Sequence, residues 1–178
     1  MNALSRFDVV AIGNAIVDVL ANMDDDFLKK HDMPKGVMTL IDAQRAEQLY
    51  GHLPDTSVEC SGGSAANTAV GIAAMGGKPA FIGKVADDKL GSVFRKDITD
   101  SGVHFTTPCL ENEKPTARCM VIVSPDAQRT MNTYLGACAK LSRKDIDEEL
   151  IRQTKIVYME GYLWDRDEAK DALAYAVE

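Results

Sequence analysis

Short apolar runs alternate with segments of helical spacing along this chain, and the alternation limits its fold more than any other feature. The run Phe7–Gly13 is too short for a buried helix and rich in β-branched residues, so it predicts a buried strand. Residues 80–85 repeat that pattern. Apolar residues at 66, 69, 70 and 73, and again at 90, 93, 94 and 98, have the spacing of a helix face. Strands and helices in this order predict an open α/β sheet.

A second group of strand-like segments interrupts the alternation. Residues 117–123 and 129–135 flank Ser-Pro-Asp-Ala-Gln, which predicts a β-hairpin. Two short strands near 17–23 and 36–41 are expected to pair with it. The predicted domains are an α/β core from residues 1–13, 51–102 and 136–178, and a small β-sheet lid from 14–50 and 103–135.

The last predicted helix begins near Asp165, and Ser142 resembles the first residue of a capping box that opens another helix. The apolar face of the last helix is still continuing at Glu178, without a glycine, a proline or a basic final turn. We therefore expect the chain to be truncated at its C-terminus, with a natural helix that frays at its end as the alternative.

Composition excludes several classes of partner. The 178 residues carry a formal net charge of −7, and no run of Lys or Arg is longer than two, which argues against nucleic acid and anionic membranes. Apolar stretches are too short to span a bilayer, and the N-terminus lacks the features of a secretory signal. A cytoplasmic location is expected.

The four cysteines form no Cys-x-x-Cys pair, and the three histidines match no zinc spacing. The sequence therefore predicts free thiols and no bound metal.

Two turns are candidates for ligand binding. The glycine turn Gly62–Asn67 precedes a predicted helix, where glycines let a ligand approach the backbone and Asn67 could reach a hydroxyl. It is not a standard nucleotide phosphate loop, and a purely structural loop is the alternative. Asp18 follows the first strand and could accept hydrogen bonds from a vicinal diol; a solvated turn aspartate is the alternative.

For the other candidate ligand-binding residues, the sequence gives weaker evidence of function. Arg129 on the hairpin could meet a phosphate, or simply be exposed. Glu160 and Tyr162 follow a predicted strand at 156–160, where ligands bind in open α/β sheets. Three further residues belong to the predicted lid, where packing is the alternative role: Leu40, Cys119 and Tyr134.

Several segments resemble the PfkB (ribokinase-like) carbohydrate kinases. Gly-Gly-Ser-Ala-Ala-Asn-Thr-Ala-Val-Gly-Ile-Ala-Ala-Met-Gly-Gly at 62–77, followed by Phe81–Gly91, is similar to the N-terminal signature of that family. The segments Gly13–Asp18, Thr116–Val123 and Met159–Tyr162 are similar to other family motifs. The resemblance implies a three-layer α/β/α domain with a small β-sheet lid. It also implies transfer of the γ-phosphate of ATP, with Mg2+, to a substrate hydroxyl.

The resemblance also implies roles for individual residues. Asp18 and Asn67 would bind sugar hydroxyls, and Gly62 and Gly63 would form a hinge beneath the sugar. The closest likeness is to adenosine kinase-like bacterial members, which implies conversion of adenosine to AMP in purine salvage. The implied substrate-binding residues are Asn14, Asp18, Leu40, Gly62, Gly63, Ser64, Asn67, Cys119, Arg129, Tyr134 and Tyr162.

The sequence departs from the family in one respect. The second signature, of the form Asp-Thr-x-Gly-Ala-Gly-Asp, and the Asn-x-x-Glu segment associated with Mg2+ do not occur in these 178 residues. No catalytic residue and no metal ligand is therefore expected in this chain, most of the ATP site would lie outside it, and the chain alone should be inactive.

Three alternatives remain open at this point. The acceptor could be a sugar, as in ribokinase or fructokinase, rather than a nucleoside. The chain could instead be a non-catalytic module that binds a nucleoside or sugar. Finally, the lid could serve mainly as the interface of a homodimer.

Overall fold

The structure, a computed structural model, describes residues 6–178 and contains two β-sheets. The strands are β1 (Phe7–Ile12), β2 (Ile16–Asn22), β3 (Met38–Leu40), β4 (Val58–Gly62), β5 (Pro79–Ile82), β6 (His104–Phe105), β7 (Ala117–Val123), β8 (Arg129–Tyr134) and β9 (Thr154–Met159). The helices are α1 (Asp25–Lys30), α2 (Ala43–Tyr50), α3 (Ser64–Ala74), α4 (Lys89–Asp100), α5 (Glu148–Arg152) and α6 (Asp167–Tyr175). Short 3₁₀ turns lie at Gly136–Lys140, Arg143–Asp145 and Gly161–Asp165.

The first sheet has the order β6-β5-β1-β9, and all its strands are parallel. Side chains alternate between its two faces. Ala11, Phe81 and Phe105 pack on one face against α3 and α4. Val10 and Ile82 pack on the other face against α5 and α6. This three-layer α/β/α arrangement confirms the fold class that the sequence predicts.

The second sheet has the order β3-β8-β7-β2-β4. The predicted hairpin is its β7–β8 pair, and the two predicted partner strands pair with it as β2 and β3. On one face Met120 and Ile122 pack against α1 and α2. Within residues 6–178 no helix packs on the opposite face, which carries exposed apolar side chains, among them Leu20, Met38, Leu40 and Val58.

Two predicted boundaries need correction. Strand β4 lies in the predicted core range 51–102, but it pairs with β2 in the second sheet. Strand β6 lies in the predicted lid range 103–135, but it pairs with β5 in the first sheet. The chain passes from the second sheet to the first at Gly62 and Gly63, one strand later than the apolar pattern predicts. The pattern misses β4 because its sequence, Val-Glu-Cys-Ser-Gly, is largely polar.

Two local features were not predicted as they occur. The acidic segment Asp24–Asp26 opens helix α1, because the Asp24 carboxylate accepts a hydrogen bond from the Phe27 N–H. The capping box at Ser142 is present, but it opens only a 3₁₀ turn. No helix of residues 6–178 is both long and apolar enough to cross a membrane.

A buried contact joins the start of β7 to the first turn of α4. The Asp88 carboxylate accepts hydrogen bonds from the Thr116 hydroxyl at 2.7 Å and the Thr116 N–H at 2.8 Å. The Thr116 side chain, which is fully buried, also accepts from the Ala86 N–H at 3.0 Å. The second sheet is thereby attached to α4 at one of its central strands.

Replacing Thr116 by Val should remove this contact while preserving shape. The Ala86 N–H then loses its acceptor in a buried position, so the free energy of unfolding should fall by about 2–3 kcal/mol. Urea denaturation measures the change, and Thr106→Val at an exposed position is the control. A loss no larger than that of the control would contradict the role given to Thr116.

Candidate functional site

A buried glutamate joins three chain segments at the carboxyl edge of the first sheet. Glu160 follows β9 and is 4% exposed. Its carboxylate accepts hydrogen bonds from the Asn14 N–H at 2.6 Å, from the Asn14 side-chain amide at 2.8 Å, and from the Ser64 hydroxyl. The turn after β1 and the start of α3 are therefore held together at this edge, where open α/β sheets bind their ligands.

The glycine turn carries the chain from β4 into α3 beside that clamp. Gly63 has a φ of +97°, and a Cβ there would overlap the carbonyl oxygen of Asn14. A Cβ on Gly62 would overlap the carboxylate of Asp18. Both positions therefore require glycine, because the backbone approaches the Asp18 carboxylate and the Asn14 turn closely.

Asp18 lies in the middle of a cross-strand row on the open face of the second sheet. Cys60 of β4 and Cys119 of β7 are its direct neighbours. Burial raises the pKa of Asp18 to about 6, and the charge of Arg129 acts in the opposite direction. Near neutral pH the side chain is mainly a carboxylate with little water around it. Such a group accepts strong hydrogen bonds from a pair of hydroxyls.

The two thiols beside Asp18 are poor nucleophiles. Burial raises the pKa of Cys119 to about 11, and burial together with the Asp18 charge raises the pKa of Cys60. Both are free thiols, as are Cys109 and Cys138, so the prediction of free cysteines is confirmed. At neutral pH they are uncharged neighbours of the carboxylate rather than reacting groups.

The structure brings together most of the predicted site residues near Gly62. Asn14 and Ser64 share the Glu160 carboxylate, Gly62 touches Asp18, and Gly63 approaches Asn14. Asn67 is exposed in the first turn of α3, and its N–H donates to the Gly63 carbonyl at 2.9 Å. Cys119 lies directly beside Asp18.

The remaining predicted residues lie farther away or on another face. Leu40 shares the Asp18 face, but three strand spacings, roughly 14 Å, separate them. Arg129 lies on that face farther along β8. Tyr162 is 74% exposed in the 3₁₀ turn after Glu160. Tyr134 is not on the Asp18 face: it packs toward α1 and α2 on the opposite side of the sheet.

The residue that the sequence signal underestimated is Glu160. Its position after a predicted strand marks it as a candidate, although that strand, β9, is a largely exposed edge strand in the structure. Nothing in the sequence indicates that Glu160 itself is buried or which groups it accepts hydrogen bonds from. Among residues 6–178 no three His, Cys, Asp or Glu side chains lie close enough together to hold a metal ion. We therefore assign no Mg2+ ligand among the described residues.

Comparison with known proteins places the chain in a family. The family described as "pfkB family carbohydrate kinase" matches residues 36–176, more than half of the chain. The three-layer fold, the second sheet and the glycine turn agree with that match, and the chain belongs to the pfkB family of carbohydrate kinases.

Two solved structures are similar over nearly the whole chain. The adenosine kinase from Sinorhizobium meliloti is 52% identical with a TM-score of 0.87, and covers 96% of this chain and 52% of its own. A probable sugar kinase from Rhizobium etli CFN 42 is 47% identical with a TM-score of 0.87, and covers 97% of this chain and 52% of its own. Probable fructokinase-5 from Arabidopsis thaliana is 31% identical over 63% of this chain and 38% of its own length. The chain thus spans about half the length of its relatives, or less.

The buried Asp18 carboxylate should make the stability of the chain depend on pH. The pKa of Asp18 is about 6 in the folded state and near 4 when unfolded, so the folded state binds more protons between these values. The free energy of unfolding therefore falls as pH rises from 4 to 6. Asp18→Asn should then stabilise the chain by roughly 2 kcal/mol at pH 8 and by nothing at pH 4.

Urea denaturation of both proteins across this pH range measures the difference. Asp55→Asn at an exposed turn is the control. A gain for Asp18→Asn that is equal at pH 4 and pH 8 would show that charge burial is not its cause.

Proposed function

We propose that the protein containing this chain is an ATP-dependent kinase that transfers the γ-phosphate to a hydroxyl of a nucleoside or sugar, with adenosine, giving AMP, as the first candidate acceptor. The observation that carries the proposal is the Asp18 carboxylate packed against Gly62. A poorly solvated carboxylate beside a bare backbone suits a ligand that presents adjacent hydroxyls.

Within this proposal the chain binds and orients the acceptor. Asp18 accepts hydrogen bonds from two sugar hydroxyls, and Asn67 at the start of α3 contacts a neighbouring hydroxyl. Glu160 holds Asn14 and Ser64 in place around them. The first sheet with its helices acts as the core, and the second sheet acts as a lid over the acceptor.

Phosphoryl transfer itself is not assigned to residues of this chain. Family membership implies ATP, with Mg2+ neutralising charge on its phosphates. Residues 6–178 bring together no metal-binding set, and the sequence lacks the Asp-Thr-x-Gly-Ala-Gly-Asp signature. We therefore assign no Mg2+ ligand and no catalytic residue here.

Adenosine is preferred over a free sugar because the lid face near Asp18 is apolar. Leu20, Val121 and Leu40 lie on that face, and a purine base would cover apolar surface there. The 52% identity to an adenosine kinase supports the same choice. A sugar acceptor is the second candidate, supported by the 47% identity to a probable sugar kinase.

We also propose a cytoplasmic location, no nucleic-acid or membrane partner, and a homodimer formed through the lid. The exposed side chains of Met38 and Val58, which are 49% and 60% exposed, support the dimer. Its test is the mass in solution, measured by light scattering, with and without Met38→Asp. A monomer before the substitution would contradict the dimer and leave the kinase proposal unaffected.

The acceptor assay tests the proposed function directly. Adenosine, ribose and fructose are offered with ATP and Mg2+ to the purified full-length protein that contains this chain, and its mass is determined on the same sample. We expect turnover of adenosine, and Asp18→Ala should lower kcat/KM by at least about 100-fold because a charged acceptor of two hydrogen bonds is lost. Asp55→Ala is the matched control.

The results of the acceptor assay distinguish the candidate functions. Preference for ribose or fructose would favour a sugar kinase, and binding without turnover would favour a non-catalytic module. Full activity of Asp18→Ala would refute the assigned acceptor site.

A lid substitution should distinguish recognition of the base from recognition of the sugar. Leu40→Ala removes apolar area from the Asp18 face, so KM for adenosine should rise about 3- to 10-fold while KM for ribose stays constant. Val37→Ala, an exposed apolar change just before β3, is the control. Equal effects of Leu40→Ala on both acceptors would argue against a base contact at Leu40.

A further inference from the structure

We propose that Asp97 of helix α4 is a positioning residue for the acceptor site, acting through Ser61 to hold Gly62 against the Asp18 carboxylate. The inference rests on the proposed function for the identity of the ligand, but not for the geometry. Asp97 is not among the residues proposed to contact the ligand, and it belongs to the outer helix layer rather than to the glycine turn.

The contact is made by a single carboxylate oxygen. Asp97 Oδ2 accepts a hydrogen bond from the Ser61 N–H at 2.7 Å and a second from the Ser61 hydroxyl at 2.7 Å. Both bonds are charge-assisted, and such bonds are shorter and stronger than neutral ones. Ser61 is the residue directly before Gly62, so the contact fixes the backbone where the turn begins.

Strand β4 needs an external restraint at this point. It is an edge strand of the second sheet, bonded to β2 on one side only. The Ser61 N–H is bonded to Asp97 rather than to a neighbouring strand. Two glycines follow Ser61, and the first of them, Gly62, is held by its pairing with Ile16 of β2 on one side of the strand.

Helix α4 provides a rigid support for that restraint. Phe94 and Ile98, which flank Asp97 on the helix, are fully buried in the cluster that α4 forms with the first sheet. The neighbouring carboxylate Asp100 pairs with Lys96 at the surface of the same helix. Asp97 thus links the core to the end of β4, whereas Asp100 offers a matched control of identical chemistry.

Loss of the Asp97–Ser61 contact should affect the environment of Asp18, because Gly62 lies between Ser61 and the Asp18 carboxylate. The Gly62 backbone lies close enough to the Asp18 carboxylate to leave no room for a Cβ, and it excludes water from that side. If the Asp97–Ser61 contact is lost, Gly62 is free to move away and water gains access to the carboxylate. The pKa of Asp18 should then decrease toward its ordinary value, because burial is the main cause of its elevation.

The test is an NMR titration of the Asp18 side-chain carboxyl in wild type, Asp97→Asn, Ser61→Ala and Asp100→Asn. We expect the pKa of Asp18 to fall by about 0.5–1 unit in Asp97→Asn and by less in Ser61→Ala, which keeps the backbone N–H bond. Asp100→Asn should leave it unchanged. Ser61→Ala alters no charge, so its shift separates movement of Gly62 from a direct effect of the Asp97 charge.

Amide hydrogen exchange is a second measurement, which reports directly on the contact between Asp97 and Ser61. Amide hydrogen exchange at Ser61, Gly62 and Gly63 should accelerate in Asp97→Asn, while amides in β1 and β5 keep their wild-type rates. Uniform acceleration across both sheets would indicate a general loss of stability and overturn a positioning role. Unchanged Asp18 titration in both Asp97→Asn and Ser61→Ala would also overturn it.

Ligand binding completes the experiment. Adenosine and ribose are titrated into the same variants by calorimetry, and the dissociation constant of whichever binds wild type should rise about 5- to 20-fold in Asp97→Asn. If the wild-type full-length protein that contains this chain binds neither, the proposed function fails, and the carboxyl titration still decides whether Asp97 positions Gly62. If wild type binds and Asp97→Asn binds equally well, the proposed function stands and this inference fails.

Discussion

The arrangement of the site depends on the buried carboxylate of Glu160. It accepts hydrogen bonds from Asn14 and Ser64, and so joins the ends of β1 and β9 to the start of α3. Losing one partner of a buried charged group exposes the full cost of its desolvation, several kcal/mol. The three segments therefore keep their relative positions, and Gly63 can approach the Asn14 carbonyl as closely as it does.

A fixed turn makes it possible to bury Asp18 without pairing it with a cation in its immediate row. Its cross-strand neighbours are the thiols of Cys60 and Cys119, and the pKa of about 6 records the cost of that environment. Sites that bind ligands often retain such destabilised groups, because a ligand that supplies hydrogen bonds offsets the cost. The carboxylate that weakens the folded chain above pH 6 is, on the proposed function, the one that recognises the sugar.

The sequence alone predicts the strands and helices that have a clear apolar periodicity. It does not predict the structure where polar side chains determine it. Apolar strands such as β1 and β7 and the amphipathic helix α4 follow from spacing alone. Strand β4 does not follow from spacing, because its polar residues form a strand only by pairing with β2, which is distant in the sequence. The strand pattern places Tyr134 in the second sheet but does not determine which face it lies on, and in the structure it packs on the face opposite Asp18. Asp18 could be predicted from its place after a strand, but the burial of Glu160 depends on packing that no local pattern encodes.

The positions of these restraints in the fold suggest how related enzymes differ in the acceptor that they bind. The glycine turn beside Asp18 and the start of α3 are held by the first sheet and its helices, through Glu160 and through the contact of Asp97 with Ser61, whereas Asp18 itself lies on β2 of the second sheet. Leu40, which is proposed to contact a base, lies on β3, three strands away from Asp18. Substitution there changes the apolar surface without disturbing the Asp18 carboxylate.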